Sequence, residues 1–181
     1  MAAVDPATAL ALAAGAGDRA ALADFIRTTQ ADVWRFVAHL AGRDVADDLT
    51  QETYLRVLEA LPRFEGRASA LAWLLAIARR VVVDRVRYER ARPRPVAVDW
   101  TQAPDLLVTR PDPSSDLRLA EVLELLDPDR REALLLTQLL GFSYADAAVV
   151  CGCPVGTIRS RVARARADLV AALEQQASVL P

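Results

Sequence analysis

The chain has 181 residues, 53% of them hydrophobic and 25% charged, which is too apolar for a disordered tail and, at roughly 150 residues per domain, fits one large domain or two small ones. Its 22 basic and 24 acidic residues leave a formal net charge of -2, so the total supplies no reason for binding nucleic acid or an anionic membrane, and any such case rests on where the charges lie. All 22 basic residues are arginine, a side chain that favours bidentate and stacked contacts with phosphates and base edges over mobile point charges. At the start, residues 1–17 lack the basic stretch of a secretion signal and carry Asp5, so no leader is expected. Apolar residues then recur with helical period and no convincing alternation of two, which predicts an all-α fold. A first block over 18–90 breaks near Gly42 and again at 62–66, giving three main helices. The first presents Leu22, Phe25, Ile26, Val33, Trp34, Val37 and Leu40, the third Leu71, Leu75, Ala78, Val82 and Val86, and these stripes should meet in one core.

Between 91 and 115 the composition changes. Pro93, Pro95, Pro104, Pro111 and Pro113 fall in a stretch with little periodic hydrophobicity, the composition of a linker that could reach on the order of 80 Å if fully extended. The domains are therefore expected at 1–90 and 116–181, able to work far apart. The second block reads as four helices: one over 117–126, one capped by Asp127 with Pro128 in its first turn and running to Leu140, a short one after Ser143, and a long one after Pro154. Gly141 ends the second of these, and Gly152 with Cys153 makes the turn before the last, so short helix, glycine-bearing turn and longer helix form a helix-turn-helix signature. The uncharged run 133–145 is well short of the roughly 20 residues that cross a bilayer. Two cysteines so close together define no disulfide framework, and their low number fits a reducing compartment, so a cytoplasmic protein is expected.

Three clusters of charge carry the chemistry. In the last helix Val155, Ile158, Val162, Ala165 and Leu169 step by three and four and form the packing face, while Arg159, Arg161, Arg164 and Arg166 occupy the other; against the single acid Asp168 the local net is +3, a focused cationic helix suited to a major groove. At the end of the first block Arg79, Arg80, Arg85, Arg87, Arg90, Arg92 and Arg94 face only Asp84 and Glu89, a local net of +5. Trp73 and Tyr88 lie in the same stretch, where rings among arginines suit stacked bases and equally suit plain packing. Just before it, 63–69 is a short polar loop in which Gly66 is free to take positive φ and Ser69 is placed to cap; it is either an interhelical turn or a place where an unstacked base is held. The third cluster is acidic, with Asp44, Asp47, Asp48 and Glu52 around a helix start. Capping and the helix dipole account for some of these, yet Asp48, Gln51 and Glu52 share one ridge beside Leu49 and Leu55, a docking edge for a basic helix as readily as a cap.

No GxSxG, Walker loop or HExxH is present and the one histidine, His39, has no nearby ligand partner in sequence, so no catalytic or metal site and no cofactor is expected. Three rival readings are weighed: a stand-alone helix-turn-helix repressor or activator, which would normally need a dimer seam; a DNA-cutting or rejoining enzyme that uses Ser160 among arginines, which the groove-facing helix disfavours; and a helical adaptor, against which the local charge clusters speak.

The motifs converge on a family. Asp47-Asp48-Leu49-Thr50-Gln51-Glu52-Thr53-Tyr54, then Arg63-Phe64-Glu65-Gly66 and Trp73-Leu74-Leu75-Ala76-Ile77-Ala78-Arg79 resemble the second region of bacterial RNA polymerase sigma factors. Pro154-Val155-Gly156-Thr157-Ile158-Arg159-Ser160-Arg161, with Arg164-Ala165-Arg166 after it, resembles the fourth. Having both with only the proline-rich linker between them is similar to the extracytoplasmic-function subclass, and the resemblance covers roughly 18–177. It implies a sigma region 2 domain and a sigma region 4 domain, with core RNA polymerase, at its β′ clamp helices and β flap, and promoter DNA as partners, no membrane, and an anti-sigma protein left open. Carried over by position, Asp48, Gln51 and Glu52 meet the clamp. Phe64, Gly66, Arg67, Ser69, Trp73, Arg79, Arg80, Asp84 and Arg87 meet the -10 element, and Thr157, Arg159, Ser160, Ala163, Arg164 and Arg166 meet the -35 element. Arg80 stands where many relatives carry asparagine and Ala72 where threonine is frequent, both near the single-strand contact, which implies a shifted base preference there; Ala163 stands where relatives often hold a larger side chain. Cys153 is expected to pack.

Overall fold

The computed structural model describes residues 5–91, 123 and 125–177, and among these every regular element is helical. In chain order they are α1 Pro6–Gly15, α2 Arg19–Ala41, α3 Ala46–Ala60, α4 Ala70–Ala91, α5 Pro128–Leu134, α6 Tyr144–Cys151 and α7 Val155–Ala177. Local chemistry accounts for most of the boundaries. Asp18 caps α2 by accepting from the amides of Ala20 and Ala21 at 2.9 and 3.0 Å; Asp127 does so for α5 through Asp129 at 3.0 Å; Ser143 does so for α6 through Asp146 at 3.1 Å. The proposed linker and the helix expected over 117–126 lie almost wholly outside the described residues.

Helices α2, α3 and α4 pack around Phe25, Val33, Phe36, Val37, Leu49, Val57, Leu74, Leu75, Ala78 and Val81, all essentially inaccessible to solvent. This is the three-helix core that the periodicity predicts, with α1 added, Phe36 taking a fully buried place and Ile26 lying outside the packed cluster. Asp5 and Pro6 begin α1 as cap and first-turn residue, a start signal that a reading concerned only with leader peptides passes over. The second unit closes α5, α6 and α7 over Leu135, Leu136, Ala147, Val150, Ile158, Val162 and Ala165. Helix α5 does not run regularly to Leu140: after Leu134 it widens into one π turn, Leu135–Leu139, and Phe142 donates to the carbonyl of Leu136 at 2.9 Å. Two expectations about the last helix are corrected. Val155, the first residue of the helix, is 37% exposed and not part of the packing face. Arg161 is not on the outer face: it turns inward to Asp129 of α5 and lies 3.8 Å from the Cys153 sulfur.

The two units are not apart. Helix α6 packs against α4, and the buried residues of both units join in one contiguous core.

Candidate nucleic-acid interface

Helices α6 and α7 meet at a tight turn in which Gly152 has φ +62° and ψ +38°, a left-handed conformation that glycine adopts without a Cβ clash. Cys153 then donates its amide to the carbonyl of Ala148 at 3.1 Å. Its side chain packs against the core, as expected, while Cys151 is buried and its thiol is pushed well above the ordinary value by burial. The turn sets α7 at a fixed angle on α6. Ile158, Val162 and Ala165 are held inside, and Arg159, Ser160, Ala163, Arg164 and Arg166 are left exposed on the other side, with Thr157 half-buried at the start. Ser160 donates its hydroxyl to the Thr157 carbonyl at 2.9 Å, and Arg166 reaches Gln138 at 2.8 Å. One helix therefore offers a polar, arginine-bearing surface with its back fixed to the protein, which is the geometry a side chain needs to read base edges in a major groove.

In the first unit the loop between α3 and α4 opens with a single 3-10 turn, Leu61–Arg63, and Gly66 within it has φ +69°. Ser69 caps α4 by accepting from the amide of Ala72 at 3.3 Å. Phe64 and Trp73 bring their rings together, with centroids 4.7 Å apart and planes tilted by 38°. Both are half-buried, so Trp73 takes part in the core and still shows an edge. Arg67 is exposed and bonds Glu65 at 2.6 Å. Arg80 and Arg87 are exposed on α4. Arg79 is held: its Nε lies 2.6 Å from Oε1 of Glu132 on α5, with side chains only 28% and 5% exposed. Burial raises the Glu132 carboxyl above its ordinary value against the pull of the guanidinium. Ser69 also lies 3.4 Å from a carboxylate oxygen of Asp146 on α6. Two residues expected to meet DNA are thus occupied by the second unit. Glu132 was not foreseen, although an acid one turn before Leu135 and Leu136 on an otherwise apolar face is a legible anomaly.

On α3 the carboxylates and amide of Asp48, Gln51 and Glu52 are exposed, and Leu55 beside them is 64% exposed. No side chain caps α3, and Asp47 is used otherwise, accepting from the Trp34 indole at 2.7 Å. Arg56 joins what were separate expectations, bonding Glu52 at 2.6 Å and Asp84 at 2.7 Å, so Asp84 of α4 is tied to the acidic ridge.

An all-α chain of two helical units, one carrying a helix-turn-helix with arginines turned outward, defines a DNA-binding protein. Residues 25–92 match the family model described as Sigma-70 region 2, and residues 116–169 the one described as Sigma-70, region 4. Against the ECF RNA polymerase sigma factor SigC of Mycobacterium tuberculosis the chain is 57% identical over 171 residues, covering 92% of this chain and 91% of the other. Against EcfG of Rhodopseudomonas palustris it is 42% identical over 142 residues, covering 76% and 77%. The fold matches the sigma factor RpoE of Bartonella quintana, solved with the anti-sigma factor NepR, at a TM-score of 0.67 with 31% identity over 84% of this chain and 96% of that one. It also matches CnrH, solved with the cytosolic domain of CnrY, at 0.71 with 25% identity over 94% and 99%. The chain belongs to the extracytoplasmic-function sigma factors and is a promoter-specificity subunit of bacterial RNA polymerase. Among the described residues no helix is long and apolar enough to cross a membrane.

Proposed function

We propose that residues 1–90 dock on the β′ clamp helices of core RNA polymerase and open the -10 element, and that residues 116–181, tethered through 91–115, meet the β flap and read the -35 element as duplex. In this division Asp48, Gln51 and Glu52 with Leu55 form the clamp edge, the loop 64–69 with α4 holds the melted strand, and Thr157, Arg159, Ser160, Ala163, Arg164 and Arg166 face the major groove. The observation that carries the reading is the outer face of α7, polar and solvent-exposed along the residues that the helix-turn-helix would present to a groove, while Ile158, Val162 and Ala165 behind it are inaccessible. The division suits the physics: a rigid helix reads paired bases, whereas melting needs a pocket for an unstacked one. The protein acts in the cytoplasm, without catalysis, metal or cofactor of its own. An anti-sigma protein is a further partner, as NepR is for RpoE of Bartonella quintana. Because Arg79 is engaged by Glu132, contact of Arg79 with the -10 strand requires the two units to part.

The test is Arg159→Ala in polymerase holoenzyme on a set of promoters altered one base pair at a time across the upstream element. A bidentate contact to guanine predicts a loss of about 1–3 kcal/mol confined to the base pair that Arg159 reads, with relaxed preference there. Equal loss on every upstream sequence assigns Arg159 to phosphate and contradicts its place as a base reader.

A further inference from the structure

The region 2 match begins at residue 25 and so leaves α1 outside it, yet α1 touches the loop 61–70 at its beginning, middle and end. At the beginning, Gly15 lies so close to the turn that a Cβ on it would stand 2.6 Å from the carbonyl oxygen of Leu61, closer than real contacts allow. In the middle, the space above Gly66 is bounded by Leu12 and Thr8, with a Cβ there 3.5 Å from Leu12 Cδ1 and 3.7 Å from Thr8 Cγ2. At the end, the buried amide of Ala70, the first residue of α4, donates to the Thr8 hydroxyl at 2.8 Å.

The hydroxyl has only one way to do this. Thr8 is 4% exposed, and its Oγ1 lies 2.5 Å from Oδ2 of Asp5 while its own amide donates to Oδ1 at 3.0 Å. An ionised carboxylate only accepts, so the threonine proton points at Asp5 and a lone pair is left for Ala70. The first orphan amide of α4 is therefore satisfied from a helix 62 residues away in sequence. Without that acceptor the amide would be buried and unpaired, and the entry to α4 would have to shift to reach water.

We propose that α1 is the positioning element of the -10 loop and Thr8 its positioning residue: it touches no DNA, but fixes the start of α4 and the seat of Gly66, and through them the geometry in which Phe64, Arg67 and Ser69 meet the melted strand. This rests on the -10 assignment proposed above and extends it to a helix outside the family match. Holding a base-capturing loop within a fraction of an ångström is what turns binding into discrimination.

The experiment uses holoenzyme assembled with Thr8→Val, nearly the same shape without the hydroxyl, and with Thr8→Ser, which restores it. Open-complex formation is measured on promoters altered singly in the -10 and in the -35 element. The expected result is a loss of about tenfold in -10 discrimination by Thr8→Val, recovery by Thr8→Ser, and unchanged -35 discrimination and core binding. A purely structural role would instead lower activity on every promoter alike, and that result, or wild-type -10 discrimination by Thr8→Val, overturns the proposal. Should Thr8→Val not fold, Asp5→Ala at the exposed cap releases the hydroxyl and is expected to lose about threefold in the same ratio; an unchanged ratio overturns the proposal. Phe64→Ala separates the two readings: if it loses -10 discrimination while Thr8→Val does not, only the role of α1 fails, and if neither loses it, the -10 assignment fails with it.

Discussion

At the scale of single residues, Tyr54 shows how a side chain inside a recognisable motif can be structural. Its hydroxyl lies 2.8 Å from that of Thr29 on α2, and burial pushes the phenol from 10.0 up to about 12. The folded protein therefore keeps this proton at a pH where the unfolded chain has released it. The stability contributed is complete below pH 10 and is lost as the pH climbs toward 12, at about 1.4 kcal/mol for each unit. Denaturant titrations are expected to show wild type losing roughly 2–3 kcal/mol more than Tyr54→Phe over that interval. Parallel pH profiles for the two proteins would contradict the buried, protonated phenol. Asp47 and Arg161 are similar cases, the first spent on the Trp34 indole and the second on Asp129. Both sit beside residues with exposed faces, and nothing in their spacing separates a charge used for packing from one offered to a partner.

At the scale of elements, what was legible in the sequence is what local chemistry decides. Caps at Asp127 and Ser143, the left-handed Gly152 and the three-and-four spacing of Ile158, Val162 and Ala165 each act within a few residues, so the helices, the turn and, apart from Arg161, the arginine face of α7 could be read from the chain. Long-range pairings could not. The approach of α1 to the loop 61–70 and the meeting of Arg79 with Glu132, 53 residues apart, depend on how finished helices pack. The acidic ridge on α3 was ambiguous for a related reason, since a cap and a docking edge use the same residues and only the geometry shows that no side chain caps that helix. The ion pair between α4 and α5 has a consequence for packing. Truncating one member of a buried pair leaves the other without its counter-charge, and with Arg79 partly exposed the cost falls to about 1–3 kcal/mol. Glu132→Ala is expected to loosen the contact between the units and raise the radius of gyration in solution scattering. An unaltered scattering profile would show that the apolar contact of α4 with α6 suffices without the pair.

At the scale of the whole molecule, a slightly acidic chain binds an acidic polymer only by concentrating its arginines, on α4 in one unit and α7 in the other. In the structure the second unit covers part of the first: Glu132 occupies Arg79 and Asp146 lies against Ser69. In the proposed division of labour, engaging both promoter elements at once separates the units, because Arg79 and Ser69 are held by the second one, so a larger assembly has to keep each on its own stretch of DNA. That is the work of core polymerase, and it makes initiation the property of the complex rather than of this chain. Run-off transcription on genomic fragments with core polymerase, in the absence and presence of the protein, tests this most directly. The account predicts discrete new transcripts only when the protein is added, and their loss with Asp48→Arg. A transcript pattern the same with and without the protein, or one left intact by Asp48→Arg, would contradict it.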